Sequence, residues 1–145
     1  MSPANRMTRQ QAGAALAEGV DQDLAAAGSI LALLERQFEA ALRHQGAELT
    51  LLAEELAPAL DAMDARRLQR VALVRALLGA EGTMAGFIAT QSEPGRSPLA
   101  AAWCELERLV VACKAATVRN GNLLADQFTT MQRVLQGGDG TYAPR

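Results

Sequence analysis

Between Trp103 and Val134 the chain places Trp103, Leu106, Val110, Cys113, Thr117, Asn120, Leu124, Gln127, Met131 and Val134 in alternating steps of three and four. That spacing lines up one face of an α-helix along the whole stretch. It passes straight through Asn120-Gly121, a dipeptide that otherwise signals a tight β-hairpin, because both residues tolerate positive φ. The seam continues on both sides of the dipeptide, so the expectation is one long helix with Asn-Gly inside it.

The rest of the chain has the same character. Of 145 residues half are apolar, and Ala and Leu alone account for 51, whereas Phe, Trp and Tyr together number five. Apolar content concentrated in the best helix formers, with few strand formers, predicts an all-α fold. Residues 21–44 carry Leu24, Ala27, Leu31, Leu34, Phe38 and Leu42 on one face, with an earlier start in the Ala-rich leader left open. After a break at Gln45-Gly46, residues 47–78 form a second helix that Pro58 should kink near Glu54. Residues 83–89 read as a short helix and SEPGRSP as a connector. Ser97 as N-cap with Pro98 at the first helical position should open the last helix, which runs to about Gln136.

At 1.5 Å per residue the last helix would be about 58 Å long and the second about 48 Å, too long for a compact ball of this size. The expected architecture is an elongated antiparallel bundle or coiled-coil hairpin, with three long helices and one short. Residues 1–136 form a single helical domain, in which 1–20 can be flexible, followed by a Gly-rich tail at 137–145 expected to be flexible.

Chemistry is sparse. His44 is the only histidine and ends a helix, and the residue three before it is Ala41, so the Glu-x-x-His pairs of a bundle di-metal site are missing. The pairs Glu54/Glu55, Asp61/Asp64 and Glu105/Glu107 fall largely outside the apolar seams, as solvated faces do. There is no P-loop and no nucleophile elbow. No catalytic residue, cofactor or metal is expected. The cluster Arg66, Arg67, Arg70 and Arg75 suggests phosphate binding, but a net charge of −2, interleaved acids and few aromatics favour a salt-bridged helix face over nucleic acid. The first twenty residues lack the apolar run of a signal peptide and no stretch is long enough to span a bilayer, so a cytoplasmic protein is expected. Cys104 and Cys113, nine positions apart on one helix, lie on opposite faces and beyond disulfide reach. Partner recognition through apolar surface is the main function left.

The final third has Trp103, Cys113 ten residues on, Asn120-Gly121 seven after that, the apolar pair Leu123-Leu124, and a tail with Thr141-Tyr142. Upstream, LLERQFEAALRHQGAELTLLAEELAPAL has the pattern of a helix, a brief break and a second Leu- and Glu-rich helix, followed by an Arg pair. Together these resemble the FlgN family of flagellar type III export chaperones over residues 24–145. The resemblance implies an all-helical cytoplasmic chaperone. It would bind the C-terminal segments of hook-filament junction (hook-associated) proteins, prevent their premature assembly and bring them to the export gate, with the export ATPase complex as a further partner. A bundle that only oligomerises is the alternative.

Residue roles follow from both sources. Asn120 on the seam has two readings, fixing helix register within the bundle or contacting a bound client, and Gly121 beside it permits close approach. Leu124, Phe128, Met131, Val134 and Leu135 form the rest of the expected client surface, because the last helix outruns the second and part of its apolar face lacks an internal partner. Trp103 is expected as a packing anchor. Tyr142 is, by the resemblance, a contact to the export gate's cytoplasmic domain.

Overall fold

The computed structural model describes residues 7–142, with side-chain surroundings given as far as residue 137. Residues 1–6 and 143–145 lie outside the described residues, and so does the side chain of Tyr142. Four helices follow in order: α1 Arg9–Leu42, α2 Gly46–Leu78, α3 Met84–Ala89 and α4 Arg96–Tyr142. No strand occurs among the described residues. Asn120-Gly121 lies inside α4, whose 47 residues span about 70 Å at 1.5 Å each.

The earlier start of α1 that the sequence left open is taken, and both ends of α4 differ from the sequence expectation. α1 begins twelve residues before Asp21, because Thr8 and Gln11 close a capping box: the Thr8 hydroxyl accepts from the Gln11 N–H at 3.0 Å, and the Thr8 N–H donates to the Gln11 side chain at 2.9 Å. Ala12, Leu16 and Val20 then bury the leader against the core. Ser97 does not cap α4 but lies within its first turn. The cap is the Glu93 carboxylate, which accepts from the Ser97 N–H at 2.9 Å and from its hydroxyl. At its far end α4 is helical to Tyr142 rather than ending near Gln136. α2 runs unbroken through Pro58, which is exposed along with Glu54, so water can serve the carbonyl that the proline leaves without a donor.

α1 is the middle helix, packed against α2 on one side and α4 on the other, while the backbones of α2 and α4 do not approach one another among the described residues. α1 and α2 form an antiparallel hairpin, turned at residues 43–45 by His44 with φ 54° and closed by a Gln45 N–H bond to the Ala40 carbonyl at 2.9 Å. α1 and α4 run parallel, so the expected antiparallel order holds for α1 with α2 and not for this pair. The return is made through α3. Gly79 (φ 95°) takes a positive-φ conformation that favours glycine, and Gly82 sits so close that a Cβ would lie 2.8 Å from the Leu78 Cβ. Met84, Phe87 and Ile88 of α3 then complete one core cluster with Leu16, Val20, Ala27, Val74 and Leu106. A second cluster, Ile30, Leu34, Leu56 and Ala116, holds the middle of the molecule.

Candidate functional site

The seam of α4 meets α1 through a ladder of polar side chains as well as apolar packing. The Cys113 thiol donates to the Ala27 carbonyl (3.5 Å), the Asn120 amide to the Leu34 carbonyl (2.8 Å) and the Gln127 amide to the Ala41 carbonyl (2.9 Å). Each pair is separated by 86 positions, and successive rungs are seven residues apart on both helices. Two parallel helices linked in this way hold a single register, since a shift by one residue breaks every rung. Asn120 is the most heavily bonded rung. It is 1% exposed, its amide also donates to the Gln37 side chain at 2.8 Å, and its carbonyl accepts from Arg119 at 3.1 Å. Arg119 in turn pairs with Glu35 at 3.2 Å and lies 4.0 Å over the Phe38 ring.

The register fixes what α4 leaves uncovered. An offset of 86 sets Leu42, the last residue of α1, level with Phe128, and α4 continues to Tyr142. About 14 residues, roughly 21 Å, therefore project beyond the helix that supports the rest of α4. Phe128 stands at the base of this overhang and Met131, Val134 and Leu135 along it; they are 64%, 59%, 62% and 60% exposed. Arg133 is the single charged residue from Gln127 to Gly137. The overhang is thus an amphipathic helix face with no partner among the described residues.

The expected site residues separate into two groups. Phe128, Met131, Val134 and Leu135 share the overhang; Asn120 is enclosed by α1 and Leu124 is half-buried on the same seam. Gly121 is exposed, and nothing lies within 4 Å of where its Cβ would be. Trp103 stands far away at the α3 end, half-buried against the first core cluster. The side chain of Tyr142 lies outside the described residues.

Two arginines of the cluster, Arg66 and Arg70, turn inward. Asp23 of α1, with no exposed surface, accepts from both Arg66 and Arg70 of α2, and Arg70 also lies 5.3 Å over the Trp103 ring of α4. One carboxylate thereby ties three helices together. Arg67 pairs with Asp64 at 3.0 Å on the surface. Asp23 escaped the sequence reading because it lies beside Leu24 in a segment read for its apolar face. The available signal was its place three after Val20 and four before Ala27, on the buried stripe.

Titration adds little chemistry. Burial pushes the Cys113 thiol above the usual range, hydrogen bonds from Ser97 hold Glu93 below it, and the Arg108 side chain does the same for Glu105. Among the described residues no three metal-ligating side chains cluster, and no helix is long and apolar enough to cross a membrane. What the arrangement offers is exposed apolar surface on α4. Among known proteins, the family model described as FlgN protein matches residues 7–137, which takes in all four helices up to the last turns of α4. No curated protein and no solved structure matches the chain.

Proposed function

The chain belongs to the FlgN family of flagellar export chaperones, and from that premise we propose that it binds the C-terminal helical segments of hook-filament junction proteins in the cytoplasm. It keeps them from assembling prematurely and delivers them to the cytoplasmic domain of the export gate. The observation that supports this most is the overhang of α4, where four large apolar side chains are exposed on a helix held rigidly by its other end. An amphipathic client helix can bury that stripe, and at about 25 cal/mol per Å² even a few hundred Å² of apolar contact offsets part of the cost of association. Phe and Met suit a surface that serves more than one client.

Asn120 and Leu124 serve client binding indirectly, by holding the overhang at one register; Phe128, Met131, Val134 and Leu135 make the contact. Replacing Phe128 and Met131 together by Ala should weaken a client's C-terminal segment at least tenfold while helicity and melting temperature stay near the parent values. Loss of melting temperature with unchanged client affinity would refute this assignment. Tyr142, at the end of the same helix, is the gate contact in this reading. Removal of residues 137–145 should leave client binding intact and lower capture of the chaperone-client complex by the gate's cytoplasmic domain. Equal capture with and without the tail would count against it.

A further inference from the structure

A cleft runs between α2 and α4, where their backbones stand apart over the middle of α1. It has a volume of about 560 Å³, with Ile30 as its floor, Leu60 and Met63 on one wall and Val110, Thr117 and Val118 on the other. A neighbouring cleft of about 500 Å³ continues it toward Trp103. Both open to solvent, as in a bundle lacking one helix.

Gly121 connects this cleft to the overhang. Lys114, Gly121, Phe128 and Leu135 are spaced by seven, so they lie along one face of α4, running from the cleft wall to the projecting tip. Within the chain nothing uses the missing Cβ: the space at Gly121 is empty for 4 Å. A glycine in mid-helix weakens the helix, and in the free chain no close contact compensates. The charge of the cleft is also distinctive. Arg67, Arg70, Arg75 and Lys114 line it against Asp64 and Glu107 in a chain whose net charge is −2. Of these, Arg75 and Lys114 are exposed and form no ion pair among the described residues.

We propose that the client helix extends from the overhang into the α2/α4 cleft, crossing α4 closely at Gly121, and that it carries acidic residues beside its apolar stripe. The cleft then receives a fourth helix, and the cations at its rim meet the client's carboxylates. This rests on the reading of the chain as a chaperone for helical client segments, and it adds the path and the charge of the segment that is bound.

The test is a titration of the full chain with labelled C-terminal segments of the hook-filament junction proteins from the same genome, followed by fluorescence anisotropy. Gly121→Leu fills the open space on an exposed face. It should bind at least tenfold more weakly with an unchanged circular dichroism spectrum, and Gly121→Gln repeats the test should the leucine variant associate with itself. Lys114→Glu should weaken binding severalfold, and exchanging a flanking client Glu for Lys should restore it. Parent-like affinity in all three variants, with binding lost in Phe128→Ala/Met131→Ala, would confine the client to the overhang and overturn the proposal while leaving the chaperone reading in place. No binding by the parent chain would overturn both. A parent that is dimeric in sedimentation and becomes monomeric on Gly121→Leu would assign the cleft to a second copy and overturn the client path.

Discussion

Asp23 has no exposed surface and faces two guanidiniums that are themselves largely covered, with side-chain exposures of 26% for Arg66 and 14% for Arg70. Removing the carboxylate leaves two cations without their counter-charge between packed helices, so Asp23→Ala should cost about 3 kcal/mol, read as a lower urea midpoint. A midpoint within error of the parent would contradict the network. Asn120 is a milder case of the same kind. Asn120→Ala leaves the Gln37 carbonyl without its donor and the Arg119 Nε without its acceptor, and should cost about 1–3 kcal/mol in the same measurement. The cysteines differ in reactivity rather than stability: burial raises the Cys113 thiol, so less thiolate is present near neutral pH, whereas Cys104 is exposed. Iodoacetamide followed by mass spectrometry should label Cys104 first, and equal rates in the folded protein would contradict the Ala27 contact. The position of Asn120 on the apolar seam could be read from spacing alone. Its partners could not, because Leu34 and Gln37 are more than eighty positions away and only the parallel pairing of α1 and α4 brings them near.

The elements followed local rules where those rules act alone. The continuity of α4 through Asn-Gly was legible, since a seam on both sides of the dipeptide outweighs a local turn preference. The start of α1 was less legible, because Ala12, Leu16 and Val20 give a weak apolar pattern and the capping box of Thr8 and Gln11 carries the signal. At the start of α4, Ser-Pro fits a cap-and-first-turn motif, yet a carboxylate four residues earlier takes the Ser97 N–H instead. Two glycines, one inside α4 and one in the turn before α3, should respond oppositely to an added methyl group. Gly121→Ala meets nothing within 4 Å in an exposed helix and should raise stability by about 0.5–1 kcal/mol. Gly82→Ala would drive a Cβ to 2.8 Å from Leu78 and close to the Gly79 and Val74 carbonyls, so it should lower the melting temperature. Movement of both variants in the same direction would contradict the packing described at one of the two sites.

At the scale of the molecule, three helices lie side by side with α1 central, and the parallel register of α1 with α4 decides where the chain ends its own packing. Sequence length predicted that the last helix would outrun another, but it named the second helix, whereas the limiting one is α1, which stops at Leu42 level with Phe128. Which long helices pair, and in which direction, depends on the turn through α3 and on the rungs at Cys113, Asn120 and Gln127, and neither is visible in the periodicity of a single segment. Hydrogen exchange along α4, read with and without a saturating client C-terminal segment, tests the consequence most directly. In the free chain, amides around Leu106 to Asn120 should exchange slowly and those of 128–137 quickly; with client bound, protection should rise across 128–137. Protection of the overhang that is already high in the free chain, or that does not change when the client binds, would contradict the claim that this unpartnered end of α4 is the client's seat.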